Sequence, residues 1–170
     1  MHRYTAWNAA MATTAAQASV STGTTIKTML QIATPSTRQL AILAWGYTLD
    51  DVPGADAVFE LIQTDVAATV TAHVASGVQP VNPGMPASLM TLGTAATGFT
   101  ASAEGSITAT RIFDSVAMSL TSAEAAPFLT YRRDFSDIEI PVMDVSKFLR
   151  VRATCPTSAV DMRCWVLWDE

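Results

Sequence analysis

Two runs close the chain, Lys147-Phe-Leu-Arg-Val-Arg-Ala-Thr154 and Val160-Asp-Met-Arg-Cys-Trp-Val-Leu-Trp168, joined by Cys155-Pro-Thr-Ser-Ala159. In the first, Leu149, Val151 and Ala153 alternate with Arg150, Arg152 and Thr154. In the second, Met162, Cys164, Val166 and Trp168 alternate with Arg163, Trp165 and Leu167. A period of two marks a strand with one face buried and the other turned to solvent or to a partner. The short proline-containing connection between the runs predicts an antiparallel hairpin. Such a hairpin places Arg150, Arg152 and Arg163 on one face beside Trp165. Guanidinium groups stack on aromatic rings and pair bidentately with carboxylates, so this face is a candidate docking patch for an acidic neighbour. The alternative is a solvated face neutralised by Asp161, Asp169 and Glu170.

Upstream, strand signals recur at regular spacing. Thr24 to Ala33 and Arg38 to Leu49 read as strands separated by Pro35-Ser36, and the second is apolar on both sides, which places it centrally. Asp50-Asp-Val-Pro-Gly54 is a turn signal that makes Ala57 to Thr64 the expected hairpin partner of that strand. Val66 to Val74 alternates as a strand, although the spacing of Val66, Val70 and Val74 also suits a helix. Ser106 to Leu120, Phe128 to Phe135 and Ile138 to Met143 supply further strands, the last with Pro141 suited to an edge. Eight or nine such strands predict an all-β fold, a single antiparallel β-sandwich with jelly-roll-like topology.

Two segments lack this periodicity. Residues 1–23 are dominated by Ala, Thr and Ser, with Tyr4, Trp7 and Met11 as the large apolar groups. They read as an extended N-terminal arm lying on the domain of residues 24–170 or on a neighbouring subunit. A helix over Ala6 to Ala18 competes, because alanine favours it. Ser76 to Gly105, including Gln79-Pro-Val-Asn-Pro-Gly-Met-Pro86, is long for a structureless loop in a compact domain. Either a partner covers it or it is a surface excursion with one short strand near Phe99. Tyr4, Trp7, Gln79, Pro80 and Met85 join Arg150, Arg152, Arg163 and Trp165 as candidate interface residues.

Composition narrows the function. The chain has 170 residues, 49% of them apolar, and only 15% charged, against roughly 25% charged in an average soluble domain. A charge-poor, Ala- and Thr-rich surface fits extensive subunit contacts, or a composition set by the genome. The net charge of −5 argues against nucleic acid, which requires a basic footprint. No apolar run is long enough to span a membrane, and residues 1–7 lack the apolar core of a signal peptide. Cys155 and Cys164 fall out of register in the expected hairpin, so two inward-facing free thiols are expected.

Catalytic motifs are missing. His2 and His73 are the two histidines, too few for a cupin-type metal cluster. His73 falls on the polar side of its strand and lacks a Gly-x-Ser-x-Gly elbow, which predicts a surface or interface imidazole. Adjacent acids such as Asp50 and Asp51, or Glu60 with Asp65, are usually solvated rather than a glycosidase dyad. Asp50, Asp51 and Asp56 match no known calcium loop. No cofactor is expected, and no enzymatic activity.

The patterns Leu49-Asp-Asp-Val-Pro-Gly-Ala-Asp-Ala57, Glu60-Leu-Ile-Gln-Thr-Asp65, Lys147 to Thr154 and Met162-Arg-Cys-Trp-Val166 resemble a group of small proteins encoded among the virion genes of tailed phages that infect actinobacteria. The resemblance spans roughly residues 24–170. It implies a decoration or minor capsid subunit on the capsid exterior, assembled in the host cytoplasm, with itself as a homotrimer and the major capsid protein lattice as partners. It carries over no functional residue. The alternative is a carbohydrate-binding β-sandwich of a tail or fibre, with Trp45, Tyr47 or Trp165 as a stacking platform.

Overall fold

The computed structural model describes residues 2–118, 129–135 and 140–170. Thirteen strands run in chain order: β1 (Arg3–Trp7), β2 (Val20–Ser21), β3 (Lys27–Ala33), β4 (Leu40–Leu49), β5 (Ala57–Thr64), β6 (Thr69–Ala72), β7 (Val78–Pro80), β8 (Gly98–Ala103), β9 (Thr110–Met118), β10 (Thr130–Asp134), β11 (Val142–Met143), β12 (Phe148–Thr154) and β13 (Asp161–Asp169). One sheet has the order β10-β4-β13-β1-β7, with β11 against β4 and β2 against β13. The other has the order β6-β8-β3-β12-β5-β9. All strand pairs are antiparallel, and the two sheets pack face to face as a β-sandwich.

The expected terminal hairpin does not form. Strand β12 lies between β3 and β5 in one sheet, and β13 lies between β4 and β1 in the other. A period of two determines which side of a strand is buried, but not which strand it pairs with. Here the buried sides of β12 and β13 face each other across the core, and residues 155–160 cross from sheet to sheet. The expected β4–β5 hairpin fails in the same way, since β5 also leaves for the opposite sheet. Sequence neighbours therefore meet through side chains rather than through the backbone ladder.

The core is what the alternation predicts. Leu149, Val151 and Ala153 from β12 and Met162, Cys164, Val166 and Trp168 from β13 are at most 1% exposed. Ile42, Trp45 and Tyr47 from β4 and Phe59 and Leu61 from β5 complete it. Each fully buried Leu, Ile or Phe contributes about 1.5–3 kcal/mol. Register slips at β3 opposite Val151/Arg152, so that Met29 and Leu30 are both buried.

The segment read as an arm begins inside the sandwich. Strand β1 pairs β13 residue for residue, from Arg3 opposite Asp169 to Trp7 opposite Trp165. On its other side it pairs β7. Tyr4 stacks on Trp168 with ring centroids 6.2 Å apart. No helix forms over Ala6 to Ala18; the chain instead leaves the sheet and returns as β2. Alternation of Tyr4 and Ala6 with Arg3, Thr5 and Trp7 outweighs the helix preference of the alanines that follow, because only the strand buries Tyr4. The expected strand starting at Val66 shortens to β6, and a 3-10 turn, Ala75–Gly77, leads into β7. Parts of the strands expected over Ser106 to Leu120, Phe128 to Phe135 and Ile138 to Met143 fall on residues 119–128 and 136–139, outside the described residues.

Candidate functional site

Because β12 and β13 occupy different sheets, Arg150 and Arg152 do not share a face with Arg163 and Trp165. Arg150 is fully buried. Its guanidinium donates to the Glu104 carboxylate at 3.0 Å and to the Glu104 carbonyl at 3.1 Å, and it also bonds the Val66 carbonyl. The same carboxylate accepts from the backbone N–H and hydroxyl of Thr28 at 2.5 and 2.6 Å. Arg152 pairs with Glu60 at 2.9 Å. Both arginines are paired within their own chain, Arg150 fully buried and Arg152 partly buried.

On the other sheet the outer face is open. Arg132, Gly46, Trp165 and Trp7 fall in register on β10, β4, β13 and β1, forming one row across four strands. Trp165 lies over Gly46, where a Cβ would stand 3.0 Å from its indole and 2.6 Å from the Tyr131 carbonyl. Glycine is what lets the ring lie flat on the sheet. The Arg132 guanidinium sits 5.5 Å from the Trp165 ring centroid, held there by a two-pronged bond to Asp134. Trp7 packs on the other side, its ring centroid 6.2 Å from that of Trp165 and tilted by 44°. Arg163 donates to the Gln17 carbonyl at 3.0 Å and so ties the segment after β1 down over this face.

That segment roofs a groove of about 330 Å³, lined by Trp7, Ala9, Met11, Gln17 and Gln79 among others. Two buried residues shape it. The side-chain amide of Asn8 donates to the Met162 carbonyl at 2.9 Å and accepts the Cys164 N–H at 2.8 Å. It takes over the ladder where β1 ends. His73, expected as a surface or interface imidazole, is buried within the chain at 4% exposure. Its Nε2 lies 2.8 Å from the Trp7 carbonyl, and its ring packs on Phe99 with centroids 4.8 Å apart. Burial holds this imidazole below its ordinary value.

No family model, curated protein or solved structure matches the chain.

Beyond β7, which is the margin of the sheet, the segment of residues 81–92 exposes apolar side chains. Val81, Leu89 and Leu92 are 55%, 51% and 39% exposed, and Val74 nearby is 66% exposed. Val81 and Met85 line one hollow with Arg3. The Tyr4 hydroxyl donates to the Pro86 carbonyl at 2.8 Å and anchors the segment. Of the residues expected at an interface, Trp7 and Gln79 thus meet at the groove, while Pro80 and Met85 belong to the margin. Tyr4 is core, and the expected strand near Phe99 is β8.

The remaining candidates have structural partners. Trp45 and Tyr47 are fully buried, so neither is a stacking platform for a sugar. The Trp45 indole and the Tyr131 hydroxyl both donate to Asp114, at 2.9 and 2.8 Å. Asp65 bonds Thr108 and Ala109, which lowers its carboxyl to about 2. Asp50 accepts the Asp161 N–H at 2.7 Å. Among the described residues no group of three His, Cys, Asp or Glu is placed to hold a metal ion. No helix among them is long and apolar enough to cross a membrane. Cys155 and Cys164 are free and buried, and burial pushes both thiols up.

Proposed function

We propose that the protein is a non-enzymatic structural subunit of a phage particle, one that associates with copies of itself as a homotrimer and binds the outer lattice of the major capsid protein. The apolar margin beside β7 carries the proposal. Soluble monomers rarely leave a contiguous group of large aliphatic side chains in water, and such groups mark protein contacts. Val81 and Met85 line one hollow at this margin and Leu92 lines another beside Val78, with Val74 and Leu89 exposed in the segments that flank them; the contact we infer for these side chains is a second copy of this chain.

The strand order lends support. Four strands ordered β10-β4-β13-β1 face four ordered β3-β12-β5-β9, and successive members of these eight alternate between sheets except β5 and β9, which pair with each other; we read this as a jelly roll of the kind used by capsid proteins. The low charge and the resemblance of residues 24–170 to virion proteins support the same assignment. Multivalent contact with several capsomers would then add avidity without any strong single contact. Co-sedimentation of the purified protein with capsids assembled without it tests this function. Saturable occupancy is expected, and a protein that stays in the supernatant at every concentration would refute capsid binding.

A further inference from the structure

We propose that the groove beside Trp7 is a binding site for a neutral glycan. The described residues lining it, among them Trp7, Met11, Gln17 and Gln79, carry no charge, in a molecule with 25 charged side chains. Phosphates, nucleotides and charged peptides find no counter-ion there. What the groove offers is an exposed indole and two carboxamides. Trp7 is 36% exposed, and its ring packs against that of Trp165, which in turn carries the Arg132 guanidinium. The side-chain amides of Gln17 and Gln79 bond no other described residue.

A pyranose ring matches this set. It presents an apolar face of C–H groups that stacks on an aromatic ring, and an edge of adjacent hydroxyls that both donate and accept. A carboxamide supplies one acceptor and two donors in a plane, which pairs with two neighbouring hydroxyls at once. Sites for small ligands combine aromatic walls with a few such polar groups, in volumes of about 300–1,000 Å³. The groove, at about 330 Å³, takes a short stretch of glycan rather than a branched antenna. Its walls are set by buried contacts, with His73 bonding the Trp7 carbonyl and Asn8 closing the ladder behind it.

The test is titration of the full chain with the hexasaccharides of β-1,4-glucose, β-1,3-glucose, β-1,4-N-acetylglucosamine and α-1,6-mannose, followed by calorimetry and tryptophan fluorescence. At least one is expected to bind saturably with quenching. Trp7→Ala and Gln79→Ala should each weaken that binding by about tenfold or more. Gln79 is exposed, so its variant should keep the unfolding temperature of the parent and report on binding alone. Absence of saturable binding to all four sugars would overturn the proposal. So would binding undiminished in both variants, which would place the ligand elsewhere.

Discussion

Strands β12 and β13 share a period of two, with small or apolar residues inward and arginine among the outward residues, yet their outward faces have opposite fates. On β12 the outward Arg150 is sealed beneath Glu104, Val66 and Thr28, fully buried. On β13 the outward Arg163 and Trp165 stay at the surface, beside Trp7 and a groove. The difference lies in what passes over each sheet. Residues 65–68 and 104–109 fold down on β12 and bring carbonyls and a carboxylate to the arginine, while residues 9–19 arch over β13 and leave a hollow. A charged residue on a strand's polar face is thus a stabilising clamp in one sheet and part of a binding face in the other.

The comparison breaks most easily at Arg150. Truncating one partner of a buried ion pair leaves the other uncompensated, so Arg150→Ala should lower stability by about 3–5 kcal/mol in urea unfolding. Neutralising both partners while keeping an acceptor for Thr28, as Arg150→Met with Glu104→Gln, should recover part of that loss. A cost for Arg150→Ala near zero would mean the clamp is not formed. At the open face, Gly46→Ala is expected to cost about 1–3 kcal/mol, because its Cβ meets the Tyr131 backbone and cannot be accommodated by a rotamer change. It should also lift Trp165 off the sheet, which a change in tryptophan emission would report.

A smaller effect depends on pH. The unfolded chain protonates His73 near the ordinary imidazole value of 6.5, whereas burial makes the folded chain resist protonation until a lower pH. Stability from neutral His73 is therefore complete above 6.5 and is lost as pH falls from there toward the depressed folded value. Asp65 acts in a separate window, from 3.8 down to about 2. Urea midpoints measured between pH 7.5 and 5 should fall for the parent and fall less for His73→Gln; equal slopes would remove His73 from the support of Trp7. The smallest effect is expected at Arg163→Ala, within about 0.5 kcal/mol, since its one bond to Gln17 is exposed.

Burial was legible in the sequence where pairing was not. Leu149, Val151, Ala153, Met162, Cys164, Val166 and Trp168 point inward as their alternation implied, because a side chain's face depends on parity alone. Partnership depends on the whole set of strands, and nothing local to Pro53-Gly54 or Cys155-Pro156 distinguishes a turn within a sheet from a crossing between sheets. For the same reason a hairpin reading puts Arg150, Arg152 and Arg163 on one face, and local sequence does not reveal that Trp45 and Tyr47 lie between the sheets. Tyr4 was hidden by the alanines and threonines around it, although the alternation Tyr4, Ala6 against Arg3, Thr5, Trp7 was there to be read. Asn8 gave no signal and His73 reads as a surface or interface imidazole, since their roles are set by backbone groups of Trp7, Met162 and Cys164 that are distant in the chain.

The apolar margin beside β7 is central to the functional proposal, and solution mass tests it most directly. Light scattering behind a sizing column should give the parent near three times 18.1 kDa, and the double variant Val81→Ser with Leu89→Ser near 18.1 kDa with unchanged folding. Both side chains are exposed in the single chain, so the substitutions remove contact between copies rather than core packing. A parent that elutes as a monomer at all concentrations would contradict self-association through this margin.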